Sequence, residues 1–581
     1  MLSIKTRSVH PASRFHPLLP PALGLLLVLV HSIAAARELR GPVQAEHGMV
    51  VSASPRASEA GVEILRAGGN AFDAAAATGF VLAVTFPQAG NLGGGGFMVA
   101  RTSDGRNLSL DFRERAPSKA HRDMYLDENG EVIEGLSLRS PLASGVPGSV
   151  HGLLSIWERD GSGRITREEL LAPAIRLAAE GFPLSQEMAQ SFNLNATVFE
   201  KDPGASKVFI RADGRPWQEG DLLVQGDLAR TLRRISAEGR AGFYRGEVAG
   251  LIARQQAISG GLITREDLAD YTSVYRDPVV GTFRDYEIVS MGPPSSGGVL
   301  LIQILNMLDG RPLAAYARGS MSYVHLLTEV QRRAYADRAQ HLGDPDFWKV
   351  PVVELTSKQY AKDRAKSIDK DRASPSSEVA AGIKIPQESG ETTHYSVVDA
   401  ERNAVAMTVT LNGLFGSGIM IGGAGFLMNN EMDDFSVKPG VPNLYGVVGG
   451  EANAIEAGKR MLSSMTPTVV IQDGRPVMVL GSPGGPTIIT TVLQVFLNVG
   501  VHGMDIQEAV AAPRHHSQWL PDRIMYEEGA FTKDVIDKLR AMGHVITDAT
   551  ATIGAANCIY IGEQNVYGAP DYRRQSSAAG Y

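Results

Sequence analysis

The pattern of apolar and polar positions divides the chain near residue 392. Before it, apolar positions recur at helical spacing over Ala57–Ala67, Arg167–Glu180, Gln225–Glu238, Val248–Ile258, Gly297–Leu308 and Tyr323–Leu342. Ala71–Val84 is apolar nearly all round and predicts a buried helix. Short strands are predicted at Met49–Ala53 and Leu108–Phe112, with a strand pair near Val280–Met291. A polar run without regular pattern follows, from about Lys366 to Glu391. From Thr392 onward the pattern changes to period-2 alternation of β-branched residues. Tyr395–Val398 and Ala404–Thr410 read as a hairpin across Asp399–Asn403. Thr468–Gln472 and Val477–Leu480 read as a second, with Asp473-Gly474 as its turn. Helices are expected at Thr487–Val499, Ile506–Ala512 and Lys533–Met542, the last stopped by Gly543. Hairpin strands with helices on their faces predict an α+β protein with layered α/β/β/α packing.

Two threonines, Thr392 and Thr393, stand where the polar run becomes a strand. A threonine hydroxyl is a poor nucleophile unless a base lies beside it. A cut before Thr392 would make that residue's own α-amine the base. Local chemistry does not separate Thr392 from Thr393, and a loop entering a core strand would look the same.

Composition narrows the picture. A chain of 581 residues exceeds the size, about 250–300 residues, at which one core stops growing, so two lobes or one multilayer fold are expected. Net charge of −7 gives no electrostatic reason to expect nucleic acid. The one cysteine, Cys558, excludes intrachain disulfides and cysteine-based metal sites. Residues 1–36 carry Lys5, Arg7 and Arg14, no acid, an apolar run Ala22–Val30, and Ala34-Ala35-Ala36. That is the layout of a secretory signal, too short for a comfortable membrane span. The expectation is an exported protein, periplasmic or secreted, beginning near Arg37.

Several clusters carry candidate chemistry. Gly93–Gly96 lack the Lys-Ser/Thr of a phosphate cradle and read as a tight bend. Arg113 and Arg115 follow a strand and suit a carboxylate. Asp160–Glu169 superficially resemble a calcium loop but lack its glycine at the sixth position and its glutamate at the twelfth. Thr410 and Asn412 end a hairpin strand, and Asn429–Asp434 place Glu431, Asp433 and Asp434 in apolar surroundings. Ser463-Ser464 precede a strand. Gly481–Gly485 link a strand to a helix, where backbone N–H groups can face an oxyanion. Together these supply a nucleophile, an oxyanion site, hydroxyls for a carboxylate and acids for an ammonium, a set that fits a zwitterionic amino acid with an acyl group to transfer. The histidines are scattered; His515-His516 read as structural and no metal is expected.

The motifs TTHYSVVD at 392–399, TLNGLFGSG at 410–418, NNEMDDFSVKPGVPNLYG at 429–446, LSSMTPT at 462–468, GSPGG at 481–485 and LDFRERAP at 110–117 resemble those of the γ-glutamyltransferase (γ-glutamyltranspeptidase) family, over about Gly48–Tyr581. The resemblance implies an N-terminal-nucleophile hydrolase fold, a four-layer αββα sandwich. It also implies a precursor that cuts itself between Glu391 and Thr392 into a large subunit, 37–391, and a small one, 392–581, held as a heterodimer. By the same resemblance Thr392 is the nucleophile, Thr410 positions it, and the Gly484 and Gly485 amides form the oxyanion hole. Arg113, Ser463 and Ser464 hold the α-carboxylate of the γ-glutamyl group. Asn412, Glu431 and Asp434 hold its ammonium, and Tyr445 belongs to a lid loop. Substrates are glutathione and other γ-glutamyl amides, with amino acids, dipeptides or water as acceptors and no cofactor. Met461 and Pro486-Thr487 depart from the family pattern, the latter beside the oxyanion hole. Two rival readings are a cephalosporin or glutaryl acylase of the same fold, which would not need an acid at 434, and an exported, uncleaved binding protein for glutathione or peptides.

Overall fold

The computed structural model describes residues 41–380, 392–438 and 450–581. The leader 1–36, Glu391 and Tyr445 lie outside the described residues. In chain order the strands of the two large sheets begin with β1 (Val43–Ala45), β2 (Met49–Ser52), β3 (Gly95–Arg101), β4 (Asn107–Asp111), β5 (Val274–Arg276), β6 (Val279–Phe283) and β7 (Tyr286–Ser290). They continue with β8 (Thr393–Val398), β9 (Ala404–Thr410), β10 (Thr468–Gln472), β11 (Arg475–Leu480), β12 (Cys558–Ile561), β13 (Val566–Ala569) and β14 (Ser577–Gly580). One sheet runs β1-β13-β12-β11-β10-β7-β6 and the other β14-β2-β8-β9-β3-β4-β5, with every pairing antiparallel.

Alternation along the central hairpin builds the layers. In β8 and β9 the odd positions Tyr395, Val397, Val405, Met407 and Val409 join a core with helices α1 (Pro55–Arg66) and α2 (Ala71–Thr85). The even positions Val398, Ala404 and Ala406 join the second core, with Met49, Val51, Phe97 and Val99 from their own sheet and Val469, Met478 and Cys558 from the facing one. That second core extends to helices α3 (Gly297–Leu308), α4 (Met321–His341) and α5 (Thr487–Gly500). Helices, sheet, sheet and helices therefore stack in four layers, as the sequence predicts.

Local chemistry fixes the hairpin in place. Asn70 caps α2 by accepting from the Phe72 and Asp73 amides at 3.0 Å each, while Asp73 accepts from the Asn70 amide at 2.9 Å. The Asp399 carboxylate accepts from the Ala71 amide at 2.8 Å and from the Asn403 amide at 2.8 Å, tying the hairpin turn to the first turn of α2.

The glycine run expected as a bend does pack closely, but half of it is strand. Gly95 and Gly96 open β3 opposite Thr410 and Val409. A Cβ on Gly96 would lie 2.3 Å from the Thr408 carbonyl oxygen, and one on Gly93 2.1 Å from that of Leu427. Strands β8 and β9, from beyond residue 392, lie between β2 and β3, from before it, and the other sheet mixes the two parts in the same way.

Candidate active site

Thr392 immediately precedes β8 and is buried. The β8–β9 register sets Thr393 opposite Val409, so the next positions on the two segments are Thr392 and Thr410. At the end of β9 the Thr410 hydroxyl accepts from the Asn412 amide at 2.8 Å. Asn412 takes a left-handed backbone, φ +74°, a conformation asparagine tolerates better than most side chains. Its Nδ2 donates to the Asn430 carbonyl at 2.9 Å, and the Gly413 amide donates to the Asn430 side chain at 2.9 Å. The corner 410–413 is thereby clipped to the acidic segment. Asn429 anchors that segment in turn, donating from Nδ2 to the carbonyls of Gly93 (2.7 Å) and Gly145 (2.8 Å).

Arg113 brings the acids together. Its Nη1 lies 2.6 Å from Glu431 and 3.6 Å from Glu114, and its Nη2 pairs with Asp434. Nε donates to the Met461 carbonyl at 3.3 Å and Nη2 to that of Leu462 at 3.4 Å, which places Ser463 next along the chain. The Met461 departure therefore leaves unchanged what the guanidinium uses at that position, a main-chain oxygen. Burial disfavours the Arg113 cation, but the charges of Glu431, Asp434 and Glu114 outweigh it and raise its pKa. Burial pushes the carboxyls up despite Arg113: Glu114 to about 8, Glu431 well above the usual range, and Asp434 upward. One cation among three buried carboxyls does not hold them all ionised at neutral pH.

Ser463 and Ser464 sit against the loop before α3. The Ser463 amide donates to the Pro294 carbonyl at 2.8 Å, and its carbonyl accepts from the Ser296 amide at 2.7 Å and hydroxyl at 2.8 Å. The Ser464 hydroxyl accepts from Arg338 Nη2 at 3.1 Å.

Past β11 the chain turns through Gly484 (φ +124°) and Gly485 (φ +55°) into α5, whose N-terminal dipole favours negative charge. Thr487 closes this turn by donating from its hydroxyl to the Gly484 carbonyl at 2.7 Å, so the Pro486-Thr487 departure brings its own contact to the turn. Gly481, just before the turn, lies against His394. A Cβ there would fall 2.1–2.5 Å from ring atoms of that histidine, two residues beyond Thr392. His394 Nδ1 and Nε2 hydrogen-bond the Thr408 and Ser396 hydroxyls at 2.9 and 3.1 Å, and burial depresses its pKa to about 3.

Of the predicted residues, Arg113, Glu431, Asp434, Thr410 and Asn412 are joined by direct contacts or through one intervening group. Ser463 and Ser464 are joined to them through the Met461–Leu462 backbone. Arg115 turns away and donates to the Gly458 carbonyl at 2.9 Å. Glu114 and Arg338 were not among the predicted residues. An acid between two arginines was the available signal for the first. His516 is held by Thr490 and Gln518, at 2.8 and 2.7 Å. Among the described residues, His325, Glu329 and His544 come within ligating reach of one another, but Glu329 is ion-paired to Arg332 and Arg333, and the two histidines hydrogen-bond each other at 2.7 Å.

A buried threonine next in register to Thr410, a cation shared by three acids, two serines and a glycine turn at a helix start are a residue set suited to acyl transfer from an amino-acid-like donor. Comparison with known proteins agrees. Residues 57–581 match the gamma-glutamyltranspeptidase family model. The chain is 47% identical over 542 residues to a glutathione hydrolase proenzyme of Escherichia coli K12, covering 93% of each. Its fold is similar to a cephalosporin acylase from Bacillus halodurans (TM-score 0.81, 26% identity, 93% of this chain and 97% of that one). It is also similar to Helicobacter pylori gamma-glutamyltranspeptidase (TM-score 0.56, 46% identity, 57% of this chain and 94% of that one). These N-terminal-nucleophile hydrolase neighbours account for the four-layer fold, and the chain belongs to the gamma-glutamyltranspeptidase family.

Proposed function

We propose that the chain catalyses γ-glutamyl transfer and hydrolysis on glutathione and related amides, with Thr392 as nucleophile after self-cleavage between Glu391 and Thr392. The observation that carries this reading is the buried Arg113–Glu431–Asp434 cluster at the Thr410 end of the hairpin. It offers a cation for an α-carboxylate and carboxyls for an α-ammonium. A γ-glutamyl zwitterion exchanges each half of that ion pair for its own complementary group, with Asn412 beside the ammonium and the Ser463 and Ser464 hydroxyls beside the carboxylate. Held at that end, the substrate's γ-carbonyl is fixed over Thr392, which is catalysis by proximity.

Thr392 Oγ attacks the γ-carbonyl carbon and the freed α-amine takes its proton. The oxyanion rests on the Gly484 and Gly485 amides; a donor of this kind contributes about 10²–10³ in rate. The C–N bond breaks, the leaving amine takes the proton from the α-amine, and a γ-glutamyl ester remains on Thr392. Water or an acceptor amine then attacks the ester, giving glutamate or a new γ-glutamyl compound. Thr410 positions the nucleophile. No step calls on a metal or organic cofactor.

The proposed subunits are 37–391 and 392–581, and the interleaving of both parts in both sheets supports a heterodimer that survives the cut. No helix among the described residues is long and apolar enough to cross a membrane. The signal-like layout of residues 1–36 supports an exported protein, periplasmic or secreted.

The test is N-terminal sequencing of the smaller of two bands on a denaturing gel. It is expected to begin at Thr392, and any other start removes the nucleophile assignment. The similarity to a cephalosporin acylase favours one second reading. Faster turnover of a glutaryl amide than of the matching γ-glutamyl amide would establish it, because a glutaryl group has no ammonium for Asp434.

A further inference from the structure

Helix α4 is buried along most of its length, Tyr323 to Ala339, yet it carries Glu329, Arg332, Arg333, Asp337 and Arg338 within that stretch. Buried charges persist only when paired or hydrogen-bonded. The partners therefore show what the helix holds, and near its C-terminal end they belong to the candidate site. The Tyr335 hydroxyl donates to the Pro486 carbonyl at 2.6 Å, at the joint between the Gly484-Gly485 turn and α5. Arg338 donates from Nε to the Ser296 hydroxyl at 2.9 Å and from Nη2 to the Ser464 hydroxyl at 3.1 Å. Ser296 passes the contact on, its hydroxyl and amide both reaching the Ser463 carbonyl. Residues three apart on a helix share a face. One face of one helix, from the part of the chain before the proposed cut, thus grips the oxyanion turn with one residue and the serine pair with the other.

We propose that Tyr335 and Arg338 are positioning residues that fix the separation between the oxyanion turn and the Ser463–Ser464 hydroxyls, so that α4 selects acyl donors by chain length. This rests on the reading of those two sites given above. A γ-glutamyl group has two methylenes between its α-carbon and the reacting carbonyl; a β-aspartyl group has one. With the serines holding the carboxylate and the turn holding the carbonyl oxygen, the shorter donor does not reach both. The β10–β11 hairpin already brings the two loops to one end, Thr468 opposite Leu480, and α4, whose residues 335 and 338 keep a set spacing, adds the side-chain contacts that hold the loops beyond the last strand pair.

The experiment compares kcat and KM of the full, self-processed enzyme for γ-glutamyl and β-aspartyl p-nitroanilides, in the parent and in Tyr335→Phe, Arg338→Met and Arg338→Lys. A displaced rather than deleted oxyanion donor is expected to lower kcat about 10-fold in Tyr335→Phe with KM little changed. Arg338→Met is expected to raise KM about 10-fold, and Arg338→Lys, which lacks the two-pronged fork, to recover only part of that. In Tyr335→Phe and Arg338→Met the preference for the γ-glutamyl donor should fall about 10-fold, within the range one methylene commands. Equal loss on both donors, or an unchanged preference, overturns the proposal. Should the Arg338 variants fail to mature, Ser296→Ala removes the hydroxyl link between Arg338 and the Ser463 carbonyl and leaves the Ser296 amide bond in place; a rise in KM smaller than that for Arg338→Met is expected, and an unchanged KM overturns the proposal. Full activity in Thr392→Ala would instead remove the underlying reading, whatever the Arg338 variants do.

Discussion

Arg113 and Glu431 form a 2.6 Å ion pair in which the side chains are 1% and 0% exposed. Asp434 takes the other guanidinium nitrogen and Glu114 lies 3.6 Å away, so the cation is shared among three carboxyls. Removing one partner of a buried pair costs about 3–5 kcal/mol because the other is stranded. The two partners are not equivalent here. Arg113→Gln leaves three carboxyls without their cation, whereas Glu431→Gln leaves Arg113 with Asp434 and Glu114. Urea denaturation is expected to show a loss of about 3 kcal/mol or more for Arg113→Gln and a clearly smaller one for Glu431→Gln. Both raise KM for a γ-glutamyl amide. Equal stability losses would show that the charge sharing is wrongly assigned.

Glu114 gives a pH dependence of defined sign. Its carboxyl is pushed up to about 8, first by burial and against the charge of Arg113. The folded protein therefore binds a proton there that the unfolded chain releases above its ordinary pKa of 4.5. Stability linked to this group is fully present below about pH 4.5 and declines as pH rises towards 8. Glu114→Gln should remove that decline, so the difference in Tm, variant minus parent, should become more positive from pH 5.5 to 8.5. A difference that stays constant, or moves the other way, shows that Glu114 is ionised in the fold.

The central hairpin was legible because alternation and burial coincide there: odd positions of β8 and β9 meet the helices and even positions face the other sheet. Arg113 was legible from its place at a strand end, and Thr410 and Asn412 from theirs. Arg338 was not, because α4 is buried all round and lacks the polar face that marks an inward charge as unusual. Nor was β14, whose four residues Ser-Ala-Ala-Gly have little strand propensity. It is a strand because it pairs with β2, more than 500 positions away. The family motifs supply the candidate site residues, while the network that joins them was visible only once the chain was folded.

Gly481 and Gly484 separate packing from chemistry within one motif. A methyl at 481 meets the His394 ring at 2.1–2.5 Å, and that ring is pinned between Thr408 and Ser396 with nowhere to move. Gly481→Ala should lose about 1–3 kcal/mol, the usual penalty of overpacking. At Gly484, φ is +124° and the nearest obstacle is the Thr487 hydroxyl at 2.3 Å, the end of a side chain. Gly484→Ala should therefore lower kcat more than it lowers Tm, by distorting the oxyanion turn. Measured together, kcat and Tm should rank the two variants in opposite orders; the same order in both would contradict the oxyanion assignment.

His394 sets part of the acid limit. Burial depresses its pKa to about 3, so it is neutral in the fold, while in the unfolded chain it takes up a proton near its ordinary 6.5. Stability from keeping it neutral is present above about pH 6.5 and is lost as pH falls towards 3. His515 and His516, depressed to about 3 and 4 by burial first, act in the same direction. Glu114 opposes them between pH 4.5 and 6.5, so the informative quantity is a difference between variants rather than the absolute curve. His394→Gln keeps an uncharged hydrogen-bonding side chain between Thr408 and Ser396 and cannot take up the proton. Below pH 6.5 its unfolding free energy should fall less steeply than the parent's, by up to about 1.4 kcal/mol per pH unit, the value of one proton. Parallel slopes from pH 6.5 to 4.5 would show that His394 holds the same charge folded and unfolded, and that the polar contacts beneath Gly481 tolerate an imidazolium.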